Sequence, residues 1–182
     1  MAPAHENECR QMLYTAVQLG SPAVVRYPRG QGTGVAIERN MQTLPIGKGH
    51  IVREGRSGLA ILAWGPMVGF CEPVAKQLDA TLINMRFIKP LDEALLLKLA
   101  EKHTAFITVE ENTVAGGAGS AVAEFLNGNG INNHPLLHIG IPDQFIEHGS
   151  RQDCLVAAGL DIQSITKTIT QWWPAPAQAA SS

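Results

Sequence analysis

An excess of positive charge is the first thing this sequence lacks. Lys and Arg number 14 against 16 Asp and Glu, leaving a net charge of −2 and a pI near 6.3. No basic field is available to hold nucleic acid. Long apolar runs are missing as well. None approaches the ~20 residues of a bilayer span, so no membrane contact is expected. Cysteine is scarce: Cys9, Cys71 and Cys154 are far apart, odd in number and outside any C-x-x-C spacing. That usage argues against a disulfide framework or a zinc knuckle and fits a reducing cytoplasm. His134 and His138 stand at H-x-x-x-H spacing around a strand-like run, where four residues cover ~13 Å, too far to share one zinc ion. The opening MAPAHENECRQ has neither a basic start nor an apolar core and does not read as a signal peptide.

What is present is an ordinary globular composition, 45% hydrophobic, with α and β patterns that alternate. Cys9, Met12, Leu13, Ala16 and Val17 fall at i, i+3, i+4, i+7 and i+8, an apolar face for a helix from about Glu6 to Leu19 that Gly20 ends. After the turn at Ser21 and Pro22, Ala23 to Tyr27 reads as a strand stopped by Pro28. One helix and one strand cannot close a core. This piece therefore reads as the end of a larger α/β unit, with Met1 internal to a longer chain. Gly30 to Pro45 has little periodicity and reads as a linker running over a surface. A domain boundary is placed near Pro45.

Beyond it, Lys48 to Arg53, Leu59 to Ala63, Thr81 to Met85, Ala105 to Val109 and Leu136 to Ile139 read as strands. Helices are expected to end at Leu78, Glu101 and near Asn127, with a last one from Ile162 to Trp173. Asp92 and Asp161 suit N-caps. Pro73 inside the first of these helices would cost ~3 kcal/mol unless it lay in the first turn, so that helix is expected to start near Cys71. The tail at 174–182 has nothing to bury and is expected to be disordered.

Two places carry candidate chemistry. The first is TVEENTVAGGAGSAV, a strand end followed by a glycine-rich turn into a helix. Such a turn can bind an anion, yet GGAGS lacks the Lys of a P-loop and the spacing of a dinucleotide fingerprint. Glu110 and Glu111 could be an acid/base pair, but adjacent strand residues point to opposite faces. Tight packing of the helix start on the sheet is the remaining reading. The second place is R-Y-P-R-G. Arg26 and Arg29 beside a rigid Pro and a permissive Gly could hold a phosphate with their planar donor forks, or could be solvated surface charges.

The segments MAPAHENECRQMLYTA, PAVVRYPRG, LPIGKG, MRFIKPLDEALL, TVEENTVAGGAGSAV and IGIPDQFIEHG resemble, in this order, the carboxyl-terminal third of the 1-deoxy-D-xylulose 5-phosphate synthase family, within the transketolase superfamily. The resemblance implies an α/β fold: residues 1–45 as the last helix, strand and linker of a pyrimidine-binding domain, and 46–173 as a transketolase carboxyl-terminal domain with a mostly parallel five-stranded sheet flanked by helices. It implies condensation of pyruvate with glyceraldehyde 3-phosphate, with loss of carbon dioxide, by an enzyme using thiamine diphosphate and magnesium as a homodimer. It places the cofactor, metal and catalytic groups upstream, so no catalytic, cofactor-binding or metal residue is expected in this chain and none of its own activity. Arg29 first, and Arg26 second, would meet the substrate phosphate. A stand-alone dimerisation or regulatory module, or part of a 2-oxoacid dehydrogenase β subunit, are the alternatives.

Overall fold

A computed structural model describes residues 1–173; the tail expected at 174–182 lies outside the described residues. The first helix is α1 (Glu6–Gln18), and after a long irregular stretch the chain runs β1 (His50–Arg53), β2 (Leu59–Ala63), α2 (Met67–Gln77), β3 (Thr81–Asn84) and α3 (Glu93–Lys102). It continues through β4 (Ala105–Thr113), α4 (Ala118–Gly128), β5 (Leu136–Ile141), α5 (Arg151–Ala157) and α6 (Ile162–Trp172).

The strands form one five-stranded sheet in the order β1-β3-β2-β4-β5. Only edge strand β1 runs antiparallel; β3, β2, β4 and β5 pair in parallel. This is the mostly parallel sheet that the family resemblance implied. Central β2, LAILA, is buried along its whole length, which is why it reads as a continuous apolar run rather than an alternation. Leu59, Ile61, Ile107 and Val109 point to the layer of α2, α5 and α6, where Val74, Leu155, Ile165 and Ile169 pack. Ala60, Leu62, Ile83 and Phe106 point the other way, onto Leu96 and Leu99 of α3 and Val122 of α4. Asp92 and Asp161 cap their helices as expected, accepting from Leu95 N and from Gln163 and Ser164 N.

Three expectations are corrected. α2 begins at Met67, so Pro73 is inside it. The carbonyl that loses its partner belongs to Gly69, which is exposed and can be hydrated, and burial of Met67, Val68, Cys71, Val74 and Ala75 outweighs the missing bond. Residues 23–27 form no strand. Their only backbone bonds to another segment among the described residues go to Met1, which accepts from Arg26 N and donates to Val24 O, and one residue is not a ladder. α5 was not anticipated. Its signal was in S-R-Q-D: Ser150 is an N-cap whose Oγ accepts from Asp153 N at 3.2 Å and donates to Asp153 Oδ2 at 2.6 Å.

α1 forms where its periodicity predicts and stops before Gly20, whose φ of 68° closes the helix end. The buried face, however, is not the apolar one. Asn7, Glu8, Gln11 and Thr15 are buried together with Met12, while Leu13 and Val17 are 46% and 78% exposed. The reason is backbone accounting. The stretch at 33–44 has no strand partner, so α1 side chains serve its peptide groups. Asn7 Oδ1 accepts from Glu38 N, Gln11 Oε1 from Gln42 N and Thr15 Oγ1 from Leu44 N, while Gln11 Nε2 donates to Asn40 O. Glu6 accepts from Gly34 N. What looked like a free linker is laced to a helix.

Candidate functional site

The carboxyl ends of β4 and β5 bring the chemistry together. β4 runs on past Val109, with a register shift before Thr113, so both glutamates are strand residues and point to opposite faces. Glu110 is 2% exposed. Its carboxylate accepts from Ala118 N at 2.9 Å and Gly119 N at 2.8 Å, placing a negative charge on the positive end of α4. The glycine-rich turn therefore holds an anion, and the anion is the protein's own. No room exists for side chains there. A Cβ at Gly117 would lie 2.4 Å from Glu110 Oε1, and one at Gly119 2.5 Å from Thr108 Oγ1. Of the readings open in the sequence, tight packing of the helix start is the one the geometry selects.

Thr108 Oγ1 and His138 Nδ1 are 2.7 Å apart beneath that start. Burial holds His138 below its usual pKa, with Glu110 pulling the other way. His134 donates instead to Ala100 O and packs on the Phe106 ring, so the two histidines are engaged separately. Among the described residues no group of three His, Cys, Asp or Glu is gathered as a metal site.

Glu111, on the outer face, accepts from Arg151 Nε at 3.1 Å and Nη2 at 2.6 Å, while its carbonyl accepts from Arg26 Nη1 at 2.8 Å. Arg26 and Arg29 are both exposed. They are not alike. Arg26 is tied to the strand end, whereas Arg29 has no hydrogen bond or ion pair among the described residues and faces solvent. Sequence reading missed Glu111 and Arg151 as partners. A clue existed, since an Arg in the first turn of a helix is set against the dipole and calls for a nearby carboxylate.

A second feature is a groove of about 920 Å³ lined by the outward stripe of α1, including Cys9, Leu13 and Val17, with Tyr27 and Phe70 across from it. Glu8, on the opposite side of α1, is 4% exposed and holds the helix to the sheet. It accepts from Arg86 Nε at 2.6 Å, from Asn84 Nδ2 and from Ala4 N.

Residues 47–165 match the family described as transketolase, C-terminal domain. The chain belongs to that family. Over 169 residues it is 54% identical to a 1-deoxy-D-xylulose-5-phosphate synthase of Thioalkalivibrio sulfidiphilus, covering 93% of this chain and 26% of that protein. It is 51% identical over 174 residues to the synthase of the same name from Xanthomonas euvesicatoria, covering 96% and 27%. The chain thus spans about a quarter of the length of these curated relatives. Among solved structures it is similar to one described as a split-gene transketolase, inactive β4 tetramer, with a TM-score of 0.77 and 27% identity, over 93% of this chain and 56% of that one. The mostly parallel five-stranded sheet flanked by helices is thus that of a transketolase carboxyl-terminal domain. Among the described residues no helix is long and apolar enough to cross a membrane.

Proposed function

We propose that this chain is the carboxyl-terminal part of a cytoplasmic synthase that condenses pyruvate with glyceraldehyde 3-phosphate, with loss of carbon dioxide, to 1-deoxy-D-xylulose 5-phosphate, the first step of non-mevalonate isoprenoid synthesis. Relatives of that name at 54% and 51% identity support it. The observation that carries this chain's share is the contrast between a fixed Arg26 and a free, exposed Arg29 in one short loop. A guanidinium without a protein partner is ready to take a phosphate bidentately.

Thiamine diphosphate and magnesium belong elsewhere in that synthase. The residues present do not fit them: Glu110 fills the glycine-rich start of α4, and the described residues gather no metal ligands. In this reading the chain alone is inactive. A family precedent is the structural relative described as an inactive β4 tetramer. In this reading residues 1–45 close a pyrimidine-binding domain whose earlier elements cover the exposed stripe of α1, and the whole enzyme is a homodimer.

A hybrid tests this reading. The matching quarter of the Thioalkalivibrio synthase is replaced by this chain and assayed with pyruvate, glyceraldehyde 3-phosphate, thiamine diphosphate and magnesium. Product from the hybrid and none from the chain alone are expected; a folded, dimeric hybrid without product overturns it. Within the hybrid, Arg29→Ala removes a charge-assisted contact of ~1.5–3 kcal/mol, roughly ten- to a hundredfold in kcat/KM for the phosphorylated acceptor. Pyruvate carries no phosphate, so its first covalent joining to the cofactor is expected to be nearly untouched. Equal losses with unphosphorylated glyceraldehyde would make Arg29 structural.

A further inference from the structure

The ion pair of Glu111 and Arg151 is more elaborate than a surface contact needs to be. Solvated pairs contribute little, yet this one is bidentate, with the two side chains only 21% and 31% exposed. Arg151 opens α5, where a cation is opposed by the helix dipole. Its placement serves Glu111 rather than the helix. Glu111 in turn uses its other acceptor, the main-chain carbonyl, on Arg26. The stem of Arg151 reaches back to the same loop, with its Cδ 3.8 Å from the Cβ position of Gly30. The segment R-Y-P-R-G is therefore bonded at Arg26 and closely approached at Gly30 by one pair that joins the end of β4 to α5. Arg29 lies between those two residues.

We propose that Glu111 and Arg151 are positioning residues: they clamp the R-Y-P-R-G loop so that Arg29 is presented to the phosphate of the acceptor substrate. The inference rests on the reading that Arg29 meets that phosphate. A carboxyl-terminal domain without a reacting group of its own thereby contributes to substrate choice, through the loop that precedes it.

Two measurements separate the clamp from the phosphate role. The first uses this chain. Amide ¹⁵N order parameters at Tyr27, Arg29 and Gly30 are expected near ~0.85, and to fall below ~0.6 in Arg151→Ala and Glu111→Gln. Arg151→Lys should recover part of the loss, since it keeps the charge without the fork. Unchanged order parameters in variants that melt like the parent overturn the clamp. The second uses the hybrid synthase. Arg151→Ala is expected to raise KM for glyceraldehyde 3-phosphate about three- to tenfold, with KM for pyruvate and for unphosphorylated glyceraldehyde unchanged. A loosened loop with no such selective change, or equal changes for both acceptors, overturns the positioning role. If Arg29→Ala fails to distinguish the two acceptors, the phosphate reading fails instead, and the order parameters still decide the clamp.

Discussion

Residues 46–173 and residues 1–45 are held by opposite chemistry. In the first region two apolar layers close over the sheet, with Leu59, Ile61, Leu62 and Phe106 all fully buried. In the second, the helix that should have buried an apolar stripe exposes it and turns Asn7, Glu8, Gln11 and Thr15 inward. Hydrophobic burial is non-directional and pooled over many contacts. Polar lacing is directional, and each bond contributes ~1 kcal/mol net. A region held by lacing keeps its shape without a core, and it responds to the loss of one directed bond where the other responds to the loss of volume.

The largest effect expected from this contrast is in the apolar layers. Phe106→Ala removes a fully buried ring near the start of β4 and should lower unfolding stability by about 3–5 kcal/mol, read from the urea midpoint. A loss under about 1 kcal/mol would mean that the layers are not the main support.

Glu8→Gln comes next. It keeps the shape but loses the charge that Arg86 and Asn84 address, about 1.5–3 kcal/mol for hydrogen bonds to a charged group. Amide exchange should quicken through α1 and 33–44, while β2 and β4 stay protected. Equal acceleration in β4 would erase the comparison, because the two regions would then open as one unit.

Acidification is expected to give the smallest and most graded response. Burial first, then Arg86, holds the folded pKa of His50 low, and burial does the same for His138. A histidine with a depressed folded pKa binds fewer protons folded than unfolded, so stability is full above the unfolded value of ~6.5 and falls as pH drops below it. His50 stands beside Glu8 and His5 on the α1 side, while His138 faces Thr108 and Glu110 under α4. His138→Gln should flatten the pH dependence of β4 protection and leave that of α1 intact. Further down, the bond from Gly34 N holds the Glu6 carboxyl at about 2. Its contribution is present above the usual carboxylate range and is lost as pH falls towards 2, so exchange at Gly34 should quicken there. A flat profile for Gly34 across that range would show that Glu6 does not secure the 33–44 stretch.

Much of this protein is determined by relations a few residues long. The run LAILA dictates a doubly covered strand, Gly20 a helix end, Asp92 and Asp161 helix starts, and adjacent placement alone sends Glu110 and Glu111 to opposite faces. All of these follow from backbone geometry and the nearest side chains, so they are legible in sequence. The tertiary structure decided what depends on distant partners. Pro73 is tolerated inside α2 because the surrounding side chains are buried, and residues 23–27 are not a strand because no neighbouring strand is offered to them. α1 turns its polar face inward because unpaired peptide groups between 33 and 44 cost more than an exposed Leu13. The partnership of Glu111 with Arg151, forty residues on, exists only once β4 and α5 are folded against each other. Periodicity states which face of a helix is apolar, and the groups opposite that helix settle which face is covered.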